Sequence, residues 1–173
     1  MIVITGATGN LGQHVIARLL ETVPASNIIA AVRNPAKAAG LAAKGVQVRQ
    51  ADYNSADSLD AAFKGATKVL LISSSEVGQR TAQHQNVVDA ARRAGVQLLA
   101  YTSVLHADTS PLGLAAEHVA TEAAIRASGL PFSLLRNGWY LENHTEHLAP
   151  VLEHGVVLGF HLRQRPPGFV ISG

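Results

Sequence analysis

A glycine-rich loop close to the start of the chain, in the segment Val3–Gly12 (VITGATGNLG), constrains the fold more than any other feature. Its glycines, Gly6, Gly9 and Gly12, follow a short apolar run and precede a segment whose apolar residues recur at helical spacing. Between a strand and a helix, such glycines allow a tight turn, a close approach of the backbone to a phosphate and close helix packing. The N–H groups that open the helix favour a pyrophosphate there. The loop therefore predicts dinucleotide binding, and a plain structural turn is the alternative.

The remainder of the chain alternates strand-like apolar runs with helical patterns. Strands are predicted at residues 2–5, 27–32, 46–51, 68–72, 96–102 and 131–135. A repeated βαβαβ order of this kind predicts the α/β class, with one doubly wound parallel sheet in a Rossmann-like NAD(P)-binding fold. Ligands of such sheets bind beyond the carboxyl ends of the strands, where the strand order switches. Residues that directly follow the strands are thus the candidate site residues.

Composition excludes several other classes of protein. Hydrophobic residues make up 47% of the 173 residues and charged residues 15%, which favours a packed core over disorder. The net charge of +2 comes from dispersed basic residues without the stripe that nucleic-acid binding requires. The chain has no cysteine and no apolar stretch near the roughly 20 residues that span a bilayer, so we expect a cytoplasmic protein without membrane insertion. His144 and His147 stand outside any H-E-x-x-H pattern, and we expect no metal site.

The end of the second predicted strand indicates which dinucleotide would bind. An NAD site usually carries Asp or Glu at this point, whereas this chain has Arg33, with Lys37 one helical turn later. A guanidinium can bind the 2′-phosphate of NADPH through two charge-assisted hydrogen bonds. NADPH is therefore the predicted cofactor, and an ordinary solvated arginine is the alternative. Asp52 and Tyr53 follow the third strand, where either an adenine contact or a simple turn fits.

Several segments together resemble the NmrA-like family of atypical short-chain dehydrogenases/reductases. They are Gly6–Gly12, Val32–Lys37, Leu71–Arg80, Tyr101–Ser103, His106–Asp108 and Leu135–Tyr140. The resemblance is strongest to the bacterial NADPH-dependent quinone oxidoreductases of that family. It implies that the cofactor is lined by Gly6, Ala7, Thr8, Gly9, Asn10, Leu11, Arg33, Ser73, Ser74, Ser75, Asn137, Gly138, Trp139, Tyr140 and Leu141.

The wider superfamily uses a Tyr and a Lys four residues apart, and this chain carries Leu114 and His118 at those positions. The resemblance to the quinone-reducing branch implies hydride transfer from NADPH to a quinone without a catalytic side chain. We interpret His118 as a histidine on a helix face rather than as an acid. The alternative function is a non-catalytic, NADP(H)-sensing regulatory protein of the NmrA type.

The resemblance ends near Gly159, where the family continues into a C-terminal lobe that covers the substrate. We expect residues 1–159 to form the NADP-binding Rossmann-like domain, residues 160–173 to be a divergent tail, and the C-terminal substrate lobe to be largely missing. The tail is dense in Arg and Pro and fits neither a strand nor a helix. A truncation or frameshift is our hypothesis, and a natural short relative is the alternative. The sequence leaves a homodimer open.

Overall fold

The structure, a computed structural model, describes residues 1–145 and 152–153. The predicted tail at 160–173, the end of the predicted domain at Gly159 and His147 lie outside the described residues. The described chain divides into two compact units, Met1–Gly138 and a second unit that begins at Trp139.

A six-stranded sheet forms the centre of the first unit. Its strands are β1 (Ile2–Thr5), β2 (Ile28–Val32), β3 (Gln47–Gln50), β4 (Lys68–Leu71), β5 (Leu98–Val104) and β6 (Phe132–Asn137). The order across the sheet is β3-β2-β1-β4-β5-β6, and every neighbouring pair is parallel. The predicted doubly wound α/β fold is therefore confirmed. The order switches between β1 and β4, which places a crevice beyond their carboxyl ends.

Helices connect the strands. They are α1 (Asn10–Leu19), α2 (Ala39–Ala42), α3 (Ala56–Ala62), α4 (Arg80–Arg93) and α5 (Ala115–Ala127), with 3-10 turns at Ala25–Asn27 and Pro35–Ala38. Serine is a favoured N-cap residue, and the side chain of Ser55 accepts a hydrogen bond from the N–H of Ser58 and so caps α3. Among the described residues no helix is long and apolar enough to cross a bilayer.

Two apolar clusters pack on the two faces of the sheet. One contains Leu59 and Phe63 together with Val87 of α4, and the other contains Ile16 of α1 with Val46. All five residues of β2 are buried, as expected for a strand covered on both faces. The two faces hold the ends of β1, β2 and β4 in fixed positions, and these ends frame the candidate site.

Two sequence expectations differ from the structure. Pro35 suits the first turn of a helix and Gly45 suits its C-cap, so the sequence predicts one helix between them. The structure has instead a 3-10 turn followed by the four-residue α2, with the poor helix former Gly40 inside it. Strands β5 and β6 run two residues further than expected, to a register that pairs Val104 with Asn137. The polar side chains of Ser103 and Arg136 in these extensions form hydrogen bonds with a side chain on α5, which lets the strand pairing continue beyond the apolar core.

Glu122 on α5 accepts these hydrogen bonds. Its carboxylate accepts a hydrogen bond from the Ser103 hydroxyl at 2.6 Å and from two guanidinium nitrogens of Arg136 at 2.7 and 2.9 Å. The Arg136 guanidinium, followed by Ser103, holds the pKa of Glu122 below its usual range despite burial. The cross-link fixes α5 against the ends of β5 and β6.

The second unit contains the short helix α6 (Glu142–Thr145) within its described part. Trp139, Tyr140 and Leu141 precede this helix and are exposed. The N–H of Thr145 donates to the carbonyl of Leu141 at 3.1 Å.

Candidate cofactor cleft

A cleft of about 480 Å³ lies beyond the carboxyl ends of β1 to β4. Most of its lining residues follow one of four strands, so the sheet brings them to one edge. Ala31 and Val32 end β2, and Gln83 lies on α4. The lining residues are Gly6, Thr8, Gly9, Ala31, Val32, Arg33, Asn34, Lys37, Ala51, Asp52, Tyr53, Ile72, Ser73, Ser74, Ser75, Glu76 and Gln83. Its place at the switch of strand order is where parallel sheets bind nucleotides.

The glycine loop forms one wall of the cleft. Gly6 has a φ of +59°, which favours glycine, and its carbonyl accepts a hydrogen bond from the N–H of Gly9 at 3.0 Å. Gly9 is the residue before α1 and has no side chain with which to cap the helix. A Cβ on Gly9 would lie 3.3 Å from the Gly6 carbonyl oxygen. The loop thus presents bare backbone and a helix N-terminus to the cleft, a surface that suits a pyrophosphate.

Gly12 fixes how closely α1 approaches the loop. A Cβ at this position would lie 2.7 Å from the Cα of Ala7 and closer still to the carbonyl oxygen of Gly6. Only glycine permits such contact between the first turn of the helix and the loop. The close helix packing inferred from the sequence is observed at Gly12, whereas the approach of a phosphate at Gly9 stays a prediction.

A hydroxyl network beneath the cleft holds the strand ends together. The Tyr53 hydroxyl oxygen lies 2.6 Å from Thr5 Oγ1 and 2.8 Å from the carbonyl oxygen of Ile72. Thr5 Oγ1 in turn accepts the N–H of Ile72 at 3.0 Å. Burial raises the pKa of Tyr53, so the phenol stays protonated. Tyr53 therefore ties β3 to β1 and β4 as well as lining the cleft.

The serine segment after β4 is anchored through its backbone. The N–H of Ser73 donates to Thr102 Oγ1 at 2.9 Å, and the N–H of Ser74 donates to His84 Nε2 at 2.9 Å. Since a backbone N–H can only donate, Nε2 is an acceptor and the ring proton lies on Nδ1, 2.9 Å from Thr121 Oγ1. Burial, with the nearby His118 and Arg80, lowers the pKa of His84 to about 3.

His84 was missed as a site residue by sequence reasoning. A signal was present, because His84 lies three and four residues before the buried Val87 and Val88, on the same helix face. Its partner Ser74 is distant in sequence, so the role of the ring follows only from the fold.

Arg33 forms an ion pair with a carboxylate that also lines the cleft. Its Nη1 donates to Glu76 Oε1 at 2.6 Å, and Glu76 Oε2 accepts a hydrogen bond from Gln83 Nε2 at 2.8 Å. Lys37 lines the same end of the cleft. Arg33 and Lys37 are the cations that the sequence singled out, and the carboxylate opposite them was not expected.

The predicted cofactor residues fall into four groups. Gly6, Thr8, Gly9, Arg33 and the serines at 73–75 line the cleft, whereas Ala7 is buried beneath the loop and Asn10 and Leu11 open α1. Asn137 ends β6, where its carbonyl accepts the N–H of Leu105 at 2.8 Å, and Gly138 follows it. The remaining three, Trp139, Tyr140 and Leu141, belong to the second unit. The assignment of all fifteen to a cofactor stays a prediction.

The positions of the superfamily's acid and lysine are occupied as the sequence indicates. His118 on α5 is buried, at 5% exposure, and its Nδ1 lies 2.6 Å from the hydroxyl oxygen of Tyr101. Burial lowers the pKa of His118 and raises that of Tyr101, so both groups are neutral. Leu114 precedes α5. The geometry assigns His118 to the interior packing of α5 on β5.

Comparison with known proteins places this cleft in context. A family model described as NAD(P)H-binding matches residues 6–159. The chain belongs to this NAD(P)H-binding family. The predicted relationship to NmrA-like proteins is also confirmed, since an NmrA-like family domain-containing oxidoreductase of Aspergillus flavus is 34% identical over 80% of the chain and 48% of the relative.

A second relative is quinone oxidoreductase 2 of Escherichia coli strain K12. The chain is 61% identical to it over 92% of its own length and 56% of the relative. The crystal structure of the Escherichia coli NADPH-dependent quinone oxidoreductase QOR2 with NADPH superposes with a TM-score of 0.86, at 61% identity, over 90% of this chain and 55% of that one. The chain thus spans about half the length of the curated relatives it matches.

Proposed function

We propose that this chain binds NADPH in the cleft and transfers hydride to a quinone. The observation that carries the proposal is the meeting of the glycine loop with Arg33 and Lys37 in one cleft at the switch of strand order. The 61% identity to a quinone oxidoreductase supports the choice of reaction. Fold alone would not, because one fold serves many activities.

The residues of the cleft fit the parts of the nucleotide. The bare backbone at Gly9 and the N-terminus of α1 would hold the pyrophosphate. Arg33 and Lys37 would hold the 2′-phosphate through charge-assisted hydrogen bonds. Asp52 and Tyr53 follow β3, line the same cleft and would contact the adenosine.

When bound, NADPH supplies the hydride from C4 of its nicotinamide, and the quinone gains that hydride and one proton to become a quinol. The chain then contributes placement of the reactants more than acid–base catalysis. We assign no general acid, because Leu114 replaces the superfamily's tyrosine and His118 is paired with Tyr101 in the interior. The proton then comes from solvent.

The second candidate is an NADP(H)-sensing regulator without turnover. The lack of an assigned general acid favours this second function, since Leu114 is apolar and His118 on α5 is buried. Such a protein would bind NADPH through the same cleft. Binding alone therefore cannot separate the two functions.

Turnover separates them. The purified chain is titrated with NADPH, and its oxidation of NADPH is then followed by absorbance with and without a soluble quinone. We expect saturable binding and oxidation that depends on the quinone. Binding without turnover would favour the regulator, and a folded chain that does neither would refute the proposal. A homodimer and a cytoplasmic location stay predictions, and light scattering of the same sample tests the first.

A further inference from the structure

The ion pair between Arg33 and Glu76 bridges the cleft. Arg33 follows β2 and Glu76 follows β4, and these two strands flank β1, whose loop carries Gly6 and Gly9. The Nη1–Oε1 distance is 2.6 Å, and the side chains are 66% and 31% exposed. The contact therefore links the two walls at the end of the cleft where a 2′-phosphate would bind.

Two further hydrogen bonds hold Glu76 in place. Its Oε2 accepts a hydrogen bond from Gln83 Nε2 at 2.8 Å, and its backbone N–H donates to Ser74 Oγ at 3.1 Å. Gln83 is buried, at 2% exposure, and its amide orientation is fixed because a carboxylate can only accept. The carboxylate thus occupies an anchored position facing Arg33.

An anchored carboxylate at this position affects the binding of NADPH and of NADH differently. The 2′-phosphate of NADPH carries about −1.5 to −2 charges. If it bound Arg33, it would compete with Glu76 for one guanidinium and would repel the carboxylate. The 2′-hydroxyl of NADH has no such conflict, since it can donate a hydrogen bond to the carboxylate while Arg33 stays paired.

We propose that Glu76 is a specificity-determining residue that narrows the preference of this cleft for NADPH over NADH. It does so by competing with the 2′-phosphate for Arg33 and by accepting a hydrogen bond from a 2′-hydroxyl. The inference rests on the proposed function, because it requires that a nicotinamide dinucleotide binds in this cleft.

The test compares Glu76→Gln with the wild-type chain in fluorescence titrations with NADPH and with NADH. The glutamine keeps the shape of the side chain and an oxygen for Gln83 but loses the charge. We expect NADPH to bind at least about threefold more tightly and NADH at least about twofold more weakly, as fits an exposed ion pair. Thermal melting checks that the variant is folded, and Glu76→Ala gives a second variant with the same expected signs.

Glu21→Gln is the matched control. It removes one carboxylate from the exposed Arg18–Glu21 ion pair, whose N–O distance is 2.7 Å, on α1 and the turn after it. The change in net charge is the same, but the pair does not line the cleft. We expect both affinities to stay unchanged, which separates a local effect of Glu76 from the field of the whole protein.

The outcomes distinguish this inference from the proposed function. Unchanged or weaker NADPH binding in both Glu76 variants, while the wild type binds NADPH, would overturn the inference alone and would make Glu76 a support that orients Arg33. A folded wild-type chain that binds neither nucleotide would overturn the proposed function and this inference with it.

Discussion

Gly12 packs on the backbone of Ala7 so closely that a Cβ on Gly12 would lie 2.7 Å from the Cα of Ala7. This contact joins the first turn of α1 to the glycine loop. It therefore sets where the N-terminus of the helix stands relative to the rest of the cleft.

Replacement of Gly12 by Ala should cost stability as well as binding. The added methyl group meets backbone atoms that cannot move aside cheaply, and overpacking of this kind costs about 1–3 kcal/mol. Denaturant unfolding measures the loss. Gly40→Ala is the control, because a Cβ on Gly40 meets nothing within 4 Å and alanine is a better helix former than glycine at this position inside α2. We expect no loss of stability in this variant. Equal stability of Gly12→Ala and the wild type would show that Gly12 and Ala7 lie further apart than the 2.7 Å contact implies.

Gly9→Val should abolish NADPH binding with a smaller effect on folding. Gly9 has an extended backbone, with φ −76° and ψ 168°, that other residues adopt without strain. Its side chain would stand where the pyrophosphate must approach the loop. Fluorescence titration with NADPH and thermal melting measure the two effects. If the variant is folded and binds NADPH normally, the loop is only a turn.

Arg33→Asp should weaken NADPH binding at least tenfold. The variant loses a charge-assisted hydrogen bond, worth about 1.5–3 kcal/mol, and places a second carboxylate beside Glu76. Arg18→Asp, which changes the charge equally on the exposed side of α1, should leave the affinity unchanged. Equal NADPH affinity in Arg33→Asp and the wild type would remove Arg33 from the cofactor site.

His118→Ala and Tyr140→Phe should each change kcat for a quinone by less than about tenfold, below the 10²–10⁴-fold that a general acid contributes. His118→Ala should nonetheless cost about 1–3 kcal/mol of stability, because it removes the ring nitrogen that pairs with the buried Tyr101 hydroxyl. Steady-state kinetics and denaturant unfolding measure the two quantities. A thousandfold drop in kcat for a folded His118→Ala that still binds NADPH would make this histidine the acid.

Acid should destabilise the fold through His84. The folded-state pKa of about 3 lies below the value of about 6.5 for an unfolded imidazole, so the unfolded chain binds more protons between these pH values. The free energy of unfolding should therefore fall as pH drops below about 6.5, by up to about 1.4 kcal/mol per pH unit from this group. His84→Gln should flatten the slope, and the exposed His14→Gln should not. Identical slopes for all three proteins would exclude His84 as the cause.

The sequence predicted those parts of the fold that depend on local chemistry. The glycine loop lies where the sequence predicts it. Ser55 before α3 and the glycines that follow α2 and α4, Gly45 and Gly95 with φ of +82° and +64°, are local signals of the same kind. The extensions of β5 and β6 were missed, because the polar residues in them are satisfied by Glu122 from a different element.

The same division holds in the candidate site. Arg33 was found because its place after the second strand is fixed by the strand pattern. Its partner Glu76 stands 43 residues away, and the Gln83 behind it is buried by the packing of α4. Contacts of this length depend on the three-dimensional fold, so a single sequence does not reveal which charges will meet.

Titration of the purified 173-residue chain with NADPH, in competition with adenosine 2′,5′-bisphosphate and with 5′-AMP, tests whether the cleft binds NADPH and recognises its 2′-phosphate. We expect saturable NADPH binding that the bisphosphate displaces at lower concentration than 5′-AMP, because Arg33 and Lys37 line the cleft and would hold a 2′-phosphate. A folded chain that shows no saturable binding, or binding that both competitors displace equally, would contradict this expectation.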